Sequence, residues 1–246
     1  MDKHYFLFQV DHKSDLIFDF QFTLLNVLRW NSKIDKNYNF DYIYYEVEDG
    51  SVSLDKHDKK VYKNNVIPVG SVEFVTSFIE QVHGKRIRPL NVPKELRDFK
   101  FSKRWIYEAQ SGEMISAKKF VKSAEKFKSE PVITTKSQSF TYDTLVSDLI
   151  SINSEWRVFI SNGQVRGIKN YAGDFYDLPP SREFVESCIK AYTQQPAVWT
   201  LDIGRHYESE FVIECHDFFS CGLYGFSSKN LPTMFSQWFY QYVKNV

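Results

Sequence analysis

The run from Val198 to Gly225 limits what this chain can fold into more than any other stretch. It reads VWTLDIG, a polar break at residues 204–209, then EFVIECHDFFSCGLYG. β-Branched and aromatic residues on both sides of such a break predict an antiparallel strand pair. Side chains alternate faces along a strand. On the second strand Phe211, Ile213 and Cys215 then share one face, and Val212, Glu214 and His216 the other. On the first, Asp202 shares a face with Val198 and Thr200, while Trp199, Leu201 and Ile203 point away. Carboxylates on neighbouring strands with an imidazole beside them suit a hard divalent cation, because Mg2+ takes one or two carboxylates together with substrate phosphates. A half-solvated hairpin with ordinary polar residues outside fits the same alternation.

Charge narrows the choice. The 31 Lys and Arg balance the 31 Asp and Glu, so overall electrostatics nominate neither nucleic acid nor an anionic membrane. No apolar run reaches membrane-spanning length, and the first residues lack the pattern of a secretion signal. A cytoplasmic protein is the expectation. Cys188, Cys215 and Cys221 give an odd count without a disulfide framework. The spacing of Cys215, His216 and Cys221 matches no structural-zinc pattern, so Cys215 is expected in the core.

Ahead of the hairpin, strand and helix patterns alternate. A strand is expected at Tyr5–Val10, an apolar helix over Leu16–Trp30 and strands around Phe40–Val47. A turn is expected at Asp49-Gly50, with an exposed loop or edge from Ser51 to Lys63. After Ser71, the three- and four-residue spacing of Val72, Val75, Phe78, Ile79 and Val82 predicts a helix that Gly84 ends. Pro89–Pro93 reads as a linker, followed by a basic run from Lys100 to Lys128. Asn162-Gly163 between two strand-like runs predicts a tight hairpin. In it Glu155, Arg157 and Phe159 share a face opposite Trp156, Val158 and Ile160. An arginine among aromatics is costly to bury without an anionic partner, whether a nearby acid or a bound anion. Pro179-Pro180-Ser181 introduces a helix with Phe184, Val185, Cys188, Ile189 and Tyr192 inward, and Asn230 and Pro232 open a final one.

The order D-I-G, then E-x-H-D, then a loop to G-L-Y-G resembles the C-terminal metal-binding segment of the ATP-grasp superfamily, most closely its RimK-related clade. The resemblance implies an α+β architecture, an ATP-grasp fold of two α+β lobes clasping a nucleotide. Residues 1–90 would form a small α/β unit before it, 91–150 the small lobe and hinge, and 151–246 the C-terminal lobe. It makes Asp202 and Glu214 the metal ligands and sets His216 where the family usually carries asparagine. An imidazole is a softer donor than an amide oxygen, which admits Mn2+ beside Mg2+, or Asp217 as ligand in its place. The F-V-K strand makes Lys122 a phosphate-contacting lysine, with Lys103 a second. Val146 and Leu149 fall at the hinge that meets adenine, with Asp148 at the ribose. The E-x-R-x-F strand assigns Arg157 to the transferring phosphoryl group, with Lys169 assisting. A strict two-residue turn would set Lys169 on the face opposite Arg157, so either a bulge shifts the register or Asn170 joins the site.

The implied reaction joins a carboxylate to an amine through an acyl phosphate at the expense of ATP, with a peptide or protein end as one substrate. The alternative is a nucleotide-binding module without turnover. Nucleic-acid binding through the basic run with Trp105 and Tyr107 is a third reading, disfavoured by the balanced charge.

Overall fold

The computed structural model describes residues 3–47 and 52–244, so the turn expected at Asp49-Gly50 lies outside the described residues. The chain divides into two compact units, residues 1–87 with 218–246, and residues 88–217. Among the described residues no helix is long and apolar enough to cross a membrane.

The first unit is built on β1 (His4–Val10), whose FLFQV run is buried from Phe6 to Val10. A strand covered on both faces reads as continuously apolar, as a parallel sheet requires. Helix α1 (Asp19–Ile34) leads to β2 (Phe40–Glu46). Helix α2 (Lys56–Asn65) then leads to β3 (Val66–Val69), giving a parallel sheet ordered β2-β1-β3. Helix α2 replaces the loop expected there. None of its residues is buried, so no apolar period betrayed it, and Asp55 caps it by accepting from the Asp58 amide. Helix α3 (Val72–His83) runs as its spacing predicted, capped by Ser71 and ended by Gly84 at φ 64°. Residues 218–246 group with this unit and not with 151–217, because the final helix (Leu231–Lys244) buries Met234, Phe235, Trp238 and Phe239. Its Phe239 ring lies 5.4 Å from His83 and 6.5 Å from Phe78.

The second unit holds two antiparallel sheets. After a short helix α4 (Phe99–Ser102) come β4 (Ile106–Ala109), β5 (Lys119–Ser123), β6 (Val132–Ile133) and β7 (Thr144–Asp148), ordered β4-β7-β5-β6. The other sheet comprises β8 (Ser154–Ser161), β9 (Gln164–Gly173), β10 (Val198–His206) and β11 (Ser209–Asp217), ordered β11-β10-β8-β9. Asn162 and Gly163, at φ 51° and 69°, make the tight turn between β8 and β9. Helix α5 (Arg182–Ala191) brings Val185, Cys188 and Ile189 into one apolar cluster with Val158, Ile160, Leu201 and Cys215. That core lies on one face of the sheet and leaves the other for polar work. All three cysteines are buried and free.

Candidate metal and phosphate site

The hairpin pairs Asp202 directly with Glu214, and Thr200 with His216. The strands run further than the sequence indicated, to a two-residue turn at Tyr207-Glu208. A bulge between Asp202 and Ile203 pairs Ile203 with Val212 and Gly204 with Phe211. An extra residue in one strand exchanges the faces beyond it. Val212 therefore joins Cys215 in the core cluster, against the simple alternation, and Phe211 lies over Gly204. A Cβ at Gly204 would come within 2.4 Å of the Phe211 ring, so only glycine admits the ring there. Asp217 pairs with Trp199 on the core side, one residue out of phase with His216. His216, and not Asp217, shares the face of the two acids.

Arg104 holds the bulge. Its Nη1 donates to the Val212 carbonyl at 2.8 Å and its Nη2 to the Ile213 carbonyl at 3.2 Å. Burial lowers its pKa to about 10, with Glu214 and Asp148 opposing that shift. In the sequence it was one more residue of a basic run. Lys103 beside it is exposed, and among the described residues no ion pair draws it towards the acids.

Asp202 is almost fully buried and is gripped bidentately by Arg157: Nε donates to Oδ1 and Nη2 to Oδ2, both at 2.8 Å. These residues pair across β10 and β8. Lys169 pairs with Arg157 across β8 and β9, because the register shifts between Phe159 and Ile160. The bulge, therefore, puts Lys169 on the Arg157 face, while Asn170 pairs with Trp156 on the other. Among the described residues no carboxylate forms an ion pair with Lys169. A second shift, between Glu155 and Trp156, leaves Tyr171 as the extra residue. Its hydroxyl donates to Glu155 Oε2 at 2.8 Å and lies 3.2 Å from Asp202 Oδ2. Burial, Asp202 and Glu155 push that hydroxyl far above the usual phenol range, so it stays a donor. The alternation rule had no place for Tyr171, since a bulged residue belongs to neither face in sequence.

His216 Nε2 sits 2.9 Å from Glu214 Oε1 and 3.3 Å from Asp202 Oδ2. Lys122, reaching from β5 of the other sheet, pairs with Glu214 Oε2. Burial disfavours both carboxylates in their charged form. His216 and Lys122 nonetheless hold Glu214 far below the usual carboxylate range, and Arg157 and His216 lower Asp202. Burial alone would lower His216, but Glu214 and Asp202 outweigh it and push it up to about 9. One ligand atom from each of Asp202, Glu214 and His216 falls within 4.8 Å of the others. Two carboxylates and an imidazole at that separation fit a divalent cation, whose charge the chain's own cations otherwise supply.

The hinge residues divide. Val146 is buried in a small core with Val121 and Ile115, and its strand is paired on both sides, so side chain and backbone are both engaged. Leu149, just past the strand end, is half-exposed. Asp148 pairs with Lys119, whose hydrogen bond holds the carboxyl below its ordinary range, and accepts from the Trp105 amide at 3.2 Å.

A family model described as an ATP-grasp domain, the second family of its clade, matches residues 101–234, more than half of the chain. No curated protein matches the sequence. Among solved structures, D-alanine–D-alanine ligase from Bacillus anthracis complexed with ATP aligns at TM-score 0.51 and 13% identity, over 98% of this chain and 96% of that one. The ATP-grasp ligase PsnB complexed with minimal precursor aligns at TM-score 0.50 and 11% identity, over 96% of this chain and 100% of its own. The ADP complex of purK, N5-carboxyaminoimidazole ribonucleotide synthetase, aligns at TM-score 0.51 and 7% identity, over 87% and 69% respectively. At these identities the likeness is one of fold.

Proposed function

Because this chain belongs to the ATP-grasp domain family, we propose that it is an ATP-dependent ligase joining a carboxylate to an amine through an acyl phosphate. One observation carries the reading. Strands from two sheets bring Asp202, Glu214 and His216 together beside Arg157, Lys169 and Lys122, with no conventional nucleophile among them. Phosphoryl transfer asks for positioning and charge neutralisation more than for covalent chemistry by the protein. The solved relatives support the same reading, having been captured with ATP, with ADP and, for PsnB, with a precursor.

In this reading a substrate carboxylate oxygen attacks the γ-phosphorus and the bond to the β-phosphate oxygen breaks, leaving ADP. The amine nitrogen then attacks the acyl carbon, the bond to phosphate breaks, and the amine proton departs with the phosphate. Lys122 and Lys169 act as point charges on phosphate oxygens. Arg157 holds the Asp202 carboxylate by two bonds and places its own charge at the same spot. Tyr171 keeps that carboxylate oriented. A divalent cation, Mg2+ or Mn2+, held by Asp202, Glu214 and His216, would neutralise phosphate charge when bound. Leu149 would face the adenine and Asp148 the ribose, while Lys103 has no neighbour here that gives it a role. A peptide or protein end is the substrate we propose for one side of the bond, and the cytoplasm the place of action.

The test is mass spectrometry of products formed from ATP and a cellular extract. Wild type should give ADP and a condensed product that the Glu214→Ala variant does not. A second reading, nucleotide binding without turnover, draws on the complete pairing of Asp202 by Arg157, Tyr171 and His216. Cation-dependent ATP binding without ADP formation across broad acid and amine pools would select it.

A further inference from the structure

The imidazole in the acidic trio has a consequence for which cation the site takes. Asp202 and Glu214 are fixed opposite one another by the β10–β11 ladder, and His216 lies two residues along the same strand face. Its Nε2, the atom able to coordinate, points at both carboxylates, 2.9 Å from one and 3.3 Å from the other. Lys122 closes the far side of Glu214, and Arg157 with Tyr171 closes the far side of Asp202. A cation captured between the two carboxylates therefore meets a nitrogen donor, because the backbone ladder presents that nitrogen to the same point. Mg2+ prefers an all-oxygen octahedral shell and dehydrates reluctantly, so a nitrogen in place of a water or carbonyl oxygen gains it little. Imidazole suits transition ions, and their affinities for mixed nitrogen and oxygen sites rise from Mn2+ towards Cu2+. Manganese is the member of that series that still accepts carboxylate and phosphate oxygens as its main ligands.

We infer that the Asp202–Glu214–His216 site binds Mn2+ in preference to Mg2+, with His216 Nε2 as a direct ligand. The inference rests on the metal-site reading above and deepens it from a divalent cation to a manganese-selective one.

The test titrates the full chain with MnCl2, follows free Mn2+ by electron paramagnetic resonance, and measures Mg2+ by competition. The bound ion is also examined by electron spin-echo modulation for coupling to a 14N nucleus. Wild type should bind Mn2+ about tenfold or more tightly than Mg2+ and show the nitrogen coupling. The His216→Asn variant, which offers an amide oxygen, should lose the coupling and most of the Mn2+ advantage while keeping its Mg2+ affinity. His216→Gln serves as a second variant, with folding of each checked by circular dichroism. An unchanged Mn2+ to Mg2+ ratio in both variants, or no nitrogen coupling in wild type, would overturn the preference alone. Mn2+ binding that survives Glu214→Ala would instead remove the metal-site reading and the preference with it.

Discussion

Consider the Arg157–Asp202 pair, cut from either side and then from both. The two side chains keep only 7% and 2% of their exposure and share two bonds of 2.8 Å. Removing one member of such a buried pair leaves a charge without its counter-ion, which costs about 3–5 kcal/mol. Arg157→Met and Asp202→Asn should each destabilise residues 88–217 by about that much in metal-free buffer at pH 7. Arg157→Met falls at the lower end, because His216 and Tyr171 still face the stranded carboxylate. The double variant leaves no orphaned charge, so its cost falls short of the sum by about 2–3 kcal/mol. The assay is urea unfolding followed by tryptophan fluorescence, with Trp156 and Trp199 in the same sheet as reporters. Additivity within about 0.5 kcal/mol would refute the reasoning, because independent sites add and coupled ones do not.

Three further outcomes follow from the same contacts. Tyr171→Phe removes the hydroxyl between Glu155 and Asp202 and should cost about 1–3 kcal/mol in unfolding free energy, with ATP turnover reduced. Arg104→Met unties the Val212 and Ile213 carbonyls and should weaken cation binding through Glu214, which titration calorimetry would read as a loss of about tenfold or more. His83, in the first unit, has its pKa lowered to about 4 mainly by burial, with Lys63 and Lys85 contributing. Since folding depresses that pKa, the unfolded chain binds more protons between about pH 4 and 6.5. Stability is thus full above pH 6.5 and declines towards pH 4, by about 1–3 kcal/mol. The melting temperature of His83→Phe should show a flatter acid limb than wild type.

How far the sequence carried the account depended on what kind of signal each element left. Asn162-Gly163 can adopt φ 51° and 69° where most residues cannot, so the β8–β9 turn announced itself. Alternation placed Asp202 and Glu214 on one face, and the ordered motifs pointed to the ATP-grasp superfamily that the family match names. Bulges left no trace. The shift at Phe159 and Ile160 decided for Lys169 over Asn170, and the shift at Asp202 and Ile203 moved Val212 into the core. Tyr171 and Arg104 were missed for related reasons, one standing in a bulge and the other binding only carbonyls, which any residue offers. Helix α2 buries nothing, so no hydrophobic period marked it. In each case the lost information lay in backbone register, and side-chain identity alone does not encode it.

Titration calorimetry with ADP, with and without a divalent cation, tests the central claim most directly. Wild type should bind the nucleotide tightly only when the cation is present. Glu214→Ala should abolish that dependence, and Lys122→Gln should weaken binding while keeping it. Equal affinity with and without the cation, unchanged in Glu214→Ala, would contradict the account.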